Sequence, residues 1–232
     1  MTRVAVSGAL GRMGSLARQA IEAAPDLEYA GGYARQRHPE ERIYDDLERL
    51  LLEQRPEVLV DFTGRPAAQN AAIASVRAGV RTIAGSSEWN DAERADLASE
   101  CEARGGTALI VPNFAIGAVL MMRFAQEATK YFQGAEIVEM HRAEKRDKPS
   151  GTAAATARKM KAGGFDGEVA IHSVRLPGLL AHQAVLFGNP GETLTIRHDS
   201  LSHQSFAPGI LAAIRGIASL PPGLHEGLEC VL

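Results

Sequence analysis

The sequence predicts an α/β chain: a Rossmann-like parallel-sheet domain joined to an α+β domain built on an open mixed sheet. Three observations predict it. A short apolar strand, Val4-Ala5-Val6, leads straight into glycines at positions 8, 11 and 14 and then into a helical stretch. Apolar strands alternate with helices as far as Val111, the pattern of a parallel sheet covered on both faces. Past Val111 the pattern changes to one long helix and several strands separated by turn chemistry such as Gly188-Asn-Pro-Gly191.

Each element has its own signal. Ser15 to Ala23 reads as a helix with Leu16, Ala20, Ile21 and Ala24 on its apolar side. Leu27 to Gly32 and Val58 to Asp61 are the second and third strands, the latter opening into Phe62-Thr63-Gly64. A helix over Ala67 to Ala78 precedes a fourth strand, Arg81 to Ala84. Asn90 is placed to cap a helix from Asp91 to about Arg104, and Ala108 to Val111 is the fifth strand. In the second region Ile116 to Phe132 is a helix with apolar Val119, Leu120, Phe124 and Ala128. Glu136–Met140, Val169–Val174, Ala184–Phe187 and Thr193–Ile196 are strands, and Pro208 to Ile217 is helical again.

Bulk properties narrow the classes. A length of 232 residues suits one large domain or two small ones. Hydrophobic and charged fractions of 45% and 23% are those of an ordinary globular protein, and a net charge of −3 carries no nucleic-acid signal. Cys101 and Cys230 are far apart, with no metal-ligand spacing around them, which suggests a reduced cytoplasmic protein. The N-terminus runs directly into a strand, leaving no room for a signal peptide. No apolar stretch approaches the roughly 20 residues that span a bilayer, so no membrane partner is expected. The histidines at 172, 182, 198 and 203 show no helical H-x-x-x-H spacing, and no metal is assigned.

Two segments carry chemistry. The first is Gly8-Ala-Leu-Gly-Arg-Met-Gly14, between a strand and a helix. In dinucleotide-binding turns the first glycine permits the tight turn, the second lets backbone approach a pyrophosphate, and the third allows close packing. Arg12 lies in this turn within reach of a phosphate; its plainer reading is a surface arginine at a helix start. The second segment is Glu139 to Ala153. It sets His141, Arg142, Lys145 and Arg146 ahead of Pro149 and a Ser150-Gly151-Thr152 helix start. Free N–H groups and the helix dipole attract anions there, and the basic side chains add full charges. Alone, such a run is a solvated basic loop with a serine cap.

Together these segments resemble the 4-hydroxy-tetrahydrodipicolinate reductase (dihydrodipicolinate reductase) family. The resemblance rests on Gly8 to Gly14, Asp61-Phe-Thr63, Gly85-Ser-Ser87, Asn113-Phe-Ala-Ile-Gly117 and His141 to Ala153, with Phe206-Ala-Pro-Gly209 as a weaker match. The blocks occur in the family's order over nearly the whole chain. Against the family pattern H-H-x-x-K-x-D-A-P-S-G-T-A, this chain matches His141, Lys145, Asp147, Pro149, Ser150, Gly151, Thr152 and Ala153. It has Arg142 where the second histidine is usual and Lys148 where alanine is usual. Ser86, Ser87 and Glu88 stand where the family reads T-T-G.

The resemblance implies NAD(P)H-dependent reduction of a cyclic dicarboxylate in lysine and diaminopimelate biosynthesis. It implies a dinucleotide-binding domain of residues 1–112 and 207–232, the terminal helix returning to it. Residues 113–206 would be a substrate-binding domain whose open sheet assembles a homotetramer. It assigns the cofactor to Gly8, Gly11, Arg12, Met13, Gly14, Arg35, Phe62, Thr63, Gly85, Ser86, Ser87, Asn113 and Phe114. It assigns the substrate to Arg142, Ser150, Gly151 and Thr152, and the chemistry to His141 and Lys145. Lys145 is the first choice for proton donor or imine activator and His141 the second; the sequence does not decide between them. Ser150 is expected both to cap its helix and to bind a carboxylate. Asp61 is expected to orient its loop, and Asp147 to shape its turn or pair with a lysine. The segment Gly31 to His38 after the second strand has no acid and carries Arg35 and Arg37, which suits NADPH at least as well as NADH. Arg142 and the Gly85–Glu88 loop keep open a related imine or keto-acid reductase. A non-catalytic nucleotide sensor would be expected to have lost Lys145 and the Ser-Gly-Thr start, and this chain has both.

Overall fold

A computed structural model describes residues 1–86 and 89–232. It divides into two units, Met1–Phe114 with Phe206–Leu232, and Ala115–Ser205.

The first unit is built on β1 (Thr2–Ser7), β2 (Leu27–Tyr33), β3 (Ile43–Tyr44), β4 (Val58–Asp61), β5 (Arg81–Ala84) and β6 (Thr107–Ile110). A final strand, Gly223–Glu226, pairs with β6 at one edge. All neighbours are parallel, and the central strands run β6-β5-β4-β1-β2-β3. Strands covered on both faces are mainly apolar, and Val4, Ala5, Val6, Leu59, Val60, Ile83 and Leu109 are fully buried. The chain turns from β1 to β2 on one side and later crosses to β4 on the other. The carboxyl ends of β1 and β4 therefore flank the point where strand order reverses, the place where such sheets receive ligands.

Helices α1 (Arg12–Ala23), α2 (Leu47–Gln54), α3 (Ala67–Arg77) and α4 (Asp91–Arg104) cover this sheet, with a later helix over Ala207–Gly216. Asn90 caps α4 in a full capping box: its side chain accepts from Glu93 N–H, and Glu93 accepts from Asn90 N–H. The strand–helix alternation read from the sequence omits β3, α2 and the Gly223–Glu226 strand. Helix α2 is short, and of its four leucines only Leu50 and Leu51 are buried while Leu52 is exposed; Asp46 caps it by accepting from Arg49 N–H.

The second unit holds α5 (Ile116–Ala128), β7 (Gly134–His141), α6 (Gly151–Ala162), β8 (Val169–Arg175), β9 (Ala181–Asn189) and β10 (Glu192–Ser200). Its sheet has the order β10-β9-β7-β8, with β7 and β8 parallel and the other pairs antiparallel. The β9–β10 hairpin turns at Gly191, whose φ of +88° suits glycine. Helix α5 packs on β9 and β10, and α6 on β7 and β8. The α5 helix stops at Ala128, short of the expected Phe132, and its buried face is Ala118, Val119, Met121, Met122, Ala125 and Ala128. Phe124, expected on that face, is 53% exposed, because the small and methionine residues already complete the buried stripe. The remaining element, α7, is the Ala207–Gly216 helix, and the Gly223–Glu226 strand is β11. Among the described residues no helix is long and apolar enough to cross a membrane.

Candidate functional site

The glycine turn follows β1. Gly8 has a φ of +74°, open to glycine at little cost. Its N–H and that of Ala9 both donate to the Tyr33 carbonyl, at 2.9 and 3.1 Å, which ties the turn to the end of β2. Arg12 is the exposed first residue of α1, not part of the turn, and Gly11 occupies the cap position with no side-chain hydrogen bond. Gly14 is required by close approach: a Cβ there would lie 2.1 Å from the Gly8 carbonyl oxygen. The contact is helix on turn rather than helix on strand. A Cβ on Gly11 would meet only that same oxygen, at 3.2 Å. The protein's own packing therefore demands Gly14 far more than Gly11.

Around this turn the first unit gathers other motif residues. A Cβ on Gly8 would stand 3.0 Å from the Phe62 carbonyl carbon and 3.3 Å from Thr63 Cγ2. Phe62, half-buried after β4, packs its ring at 5.6 Å on Phe114, and a Cβ on Gly85 would strike Phe62 at 2.8 Å. Asp61 is wholly buried and accepts from the Thr63 hydroxyl at 2.8 Å and the Thr63 N–H at 3.2 Å, so it orients the loop. Burial pushes its carboxyl up, while the Thr63 bonds work against that. Ser86 and Asn113 lie half-buried beyond β5 and β6, and Arg35 is exposed past β2. Ser87, assigned to the cofactor, lies outside the described residues. Gly209 explains the Phe206-Ala-Pro-Gly209 block: a Cβ there would fall 1.9 Å from the Phe114 carbonyl oxygen.

In the second unit, β7 ends at His141 and the basic loop follows. Alternate residues of a strand share a face, so Ala135, Ile137 and Glu139 point inward and His141 follows in phase. Glu139 is fully buried. Its Oε2 lies 2.6 Å from His141 Nδ1 and accepts from Arg175 Nη1 at 2.8 Å. Its Oε1 accepts from Arg175 Nη2 at 2.7 Å and from the Ser150 N–H at 3.2 Å. Burial would push this carboxyl up, but Arg175, Ser173 and His141 together pull it down to about 2. Burial pushes the His141 imidazole below its usual value; Glu139 opposes this, and Lys145 and Arg175 add to it.

Arg175 also donates to the backbone of the loop, to the Asp147 carbonyl at 2.7 Å and the Lys145 carbonyl at 3.3 Å. Lys145 is half-buried and pairs with Asp147 at 2.9 Å, which holds the Asp147 carboxyl below the usual range. Ser150 caps α6 by accepting from the Ala153 N–H at 3.2 Å. Gly151 and Thr152 are the first residues of that helix, and beyond the adjoining residues and the helix's own backbone nothing lies within 4 Å of where a Gly151 Cβ would stand. Arg142 is exposed immediately after His141.

Sequence reasoning assigned no role to Glu139 or Arg175. The signal for Glu139 was an acid in the inward phase of a strand. Arg175 is opposite His141 in the parallel β7–β8 register, a pairing no local pattern announces. Elsewhere His182 pairs with Asp199 at 2.7 Å and His172 with Glu136 at 2.8 Å. Among the described residues His38, Glu40 and Glu41 bring possible ligand atoms together, but they lie at the surface and Glu41 is engaged by Arg18 at 2.8 Å.

Comparison with known proteins bears on both units. The family model described as "Dihydrodipicolinate reductase, N-terminus" matches residues 2–114, and "Dihydrodipicolinate reductase, C-terminus" matches residues 117–232. The chain is 44% identical to the 4-hydroxy-tetrahydrodipicolinate reductase of Streptomyces coelicolor, over 98% of this chain and 96% of that one. It is 41% identical to that of Mycolicibacterium smegmatis, over 99% and 98%. A solved structure, dipicolinate-bound dihydrodipicolinate reductase from Paenisporosarcina sp. TG-14, superposes with a TM-score of 0.89 at 32% identity, covering 100% of both chains.

Proposed function

The chain belongs to the dihydrodipicolinate reductase family, and from that membership we propose how its residues carry out the reduction of 4-hydroxy-tetrahydrodipicolinate to tetrahydrodipicolinate with NADPH or NADH. Water leaves, and a hydride and a proton are added. The first unit fits a dinucleotide: Gly11 is a helix cap without a side chain, and the fold itself does not need it to be glycine. Gly8, Gly11, Arg12, Met13 and Gly14 would hold the pyrophosphate, where N–H groups at a helix start favour anions. Arg35 would meet a 2′-phosphate. Phe62, Thr63, Gly85, Ser86, Asn113 and Phe114 would wall the nicotinamide. The bound dinucleotide supplies the hydride.

In the second unit the substrate carboxylates would be met by the α6 start at Ser150, Gly151 and Thr152, and by Arg142. The Ser150 hydroxyl oxygen accepts from the Ala153 N–H, and toward a carboxylate its O–H would act as a donor. Lys145 presents a cation beside the loop and would stabilise electron density at the imine nitrogen. His141 holds a proton on one ring nitrogen and can exchange one on the other. The observation that supports this reading above others is the strand-loop-helix from Glu139 to Thr152, which collects His141, Lys145 and an uncrowded helix start in one short stretch.

We place this chain in the cytoplasm as a homotetramer. The supporting surface is edge strand β10, exposed over Glu192–Thr195, with Leu194 and neighbouring Leu186 open to solvent. The deciding assay supplies 4-hydroxy-tetrahydrodipicolinate, made in situ by its synthase, and follows consumption of NADPH and NADH. Rapid consumption with tetrahydrodipicolinate as product is expected. Turnover confined to other imino or keto acids would move the assignment to a related reductase, and binding without any turnover would indicate a sensor.

A further inference from the structure

We propose that Glu139 and Arg175 are positioning residues for the reduction: Glu139 sets the tautomer of His141, and Arg175 fastens both Glu139 and the Lys145–Asp147 backbone in place. The inference rests on the reading that His141 and Lys145 serve the reaction. Its own basis is the geometry of a buried carboxylate. An ionised carboxylate accepts hydrogen bonds and donates none. Both Glu139 oxygens are engaged, Oε1 by Arg175 Nη2 and the Ser150 N–H, Oε2 by Arg175 Nη1 and His141 Nδ1. With Oε2 at 2.6 Å, the shared proton belongs on Nδ1 of the neutral ring. Nε2 is then the nitrogen that takes up and returns a proton.

Arg175 gives the carboxylate a two-pronged partner with a fixed fork. The same guanidinium reaches the carbonyls of Asp147 and Lys145. Its own strand lies beside β7, with His141 opposite Arg175 in register. One side chain thus joins the histidine's partner to the backbone that carries the lysine. Removing the carboxylate would leave Lys145 and Arg175 facing His141 without the anion that offsets them.

The test is nitrogen NMR of the full-length protein with labelled histidine, without substrate, the His141 signals being identified by their loss in His141→Asn. Wild-type protein is expected to show the Nδ1-protonated tautomer. A wild-type ring protonated on Nε2 overturns the proposal, whatever any variant does. Glu139→Gln, whose amide can donate to Nδ1, is expected to shift the ring toward the other tautomer. It should also lower the kinetic pKa and reduce kcat by about 10- to 100-fold, with substrate KM and NADPH binding little changed. A folded Glu139→Gln protein with wild-type tautomer and wild-type kcat overturns it too. Arg175→Lys keeps the charge but lacks the fork, and is expected to lose kcat without losing NADPH affinity; wild-type kinetics there would refute the fastening role. The tautomer is read without turnover. A wild-type enzyme inactive on 4-hydroxy-tetrahydrodipicolinate but protonated on Nδ1 would therefore refute the substrate assignment, and with it the role in this reduction, while supporting Glu139 as the group that sets the His141 tautomer.

Discussion

Between Ser7 and Ser15 the chain holds its shape by leaving side chains out; between Glu139 and Ala153 it does so with charge. In the first unit Gly14 lets α1 sit on the Gly8 carbonyl, and the Tyr33 carbonyl collects the N–H groups of Gly8 and Ala9. No ionised side chain takes part in those contacts. In the second unit a buried carboxylate is surrounded by an arginine, a histidine and a helix-start N–H, and the same arginine ties down the loop backbone. The two constructions answer to different perturbations. An added carbon breaks the turn, whereas a removed charge or an acid pH breaks the loop.

The largest expected effect is on the turn. Gly14→Ala should destabilise the protein by about 4 kcal/mol or more, because its Cβ meets backbone that cannot swing aside. Gly11→Ala should cost about 1 kcal/mol or less in stability, since its φ of −74° suits alanine, yet weaken NADPH. Urea unfolding and NADPH titration of the two variants check the split, and equal stability losses would erase the distinction. Next comes Lys145→Ala, expected to lower kcat by about 10²- to 10⁴-fold while leaving NADPH affinity unchanged. Steady-state kinetics that keep near-normal turnover would take Lys145 out of the chemistry.

Acid should act on the loop through its buried carboxylate. The folded Glu139 carboxyl lies near 2 against an ordinary 4.5, so its contribution is complete above about 4.5 and is lost as pH falls toward 2. That loss is on the order of 3 kcal/mol. His141 is lowered as well, so its part begins to fade as pH falls below its ordinary 6.5. Stability measured from pH 7 downward should fall first through the His141 range and then through the Glu139 range, and Glu139→Gln should flatten the lower portion. Smaller effects belong to the arginines. Arg142→Ala should raise substrate KM about tenfold with kcat nearly kept, and Arg142→His should recover much of it. Arg35→Ala should weaken NADPH about tenfold more than NADH; equal losses would remove the 2′-phosphate role.

The turn was legible because its logic is local. Strand, glycine spacing and helix all sit within a dozen or so residues, and glycine itself reports the absence of a side chain. The positions of Phe62 and Gly85 at strand ends were legible for a related reason, since each follows a short apolar strand of the parallel sheet. The loop was only half legible. His141, Lys145 and Ser150 stood out by type and order. The group that organises them did not: a lone glutamate in a strand looks like a solvated residue until its inward phase is matched with an arginine from a neighbouring strand. Phe124 erred in the other direction, an aromatic residue at a helical spacing that the small residues of α5 had already filled.

Strand β11 pairs with β6, and Gly209 seats the last helix on the Phe114 carbonyl. A ribosome delivers the chain from its N-terminal side, so β6 is made first, then all of the second unit, and only then its edge partner. For that interval β6 ends the sheet with a row of unpaired N–H and C=O groups, a template for strand pairing with another nascent chain. Loss of the final segment by premature termination would make that interval permanent, and so remove a protective edge rather than a dispensable tail.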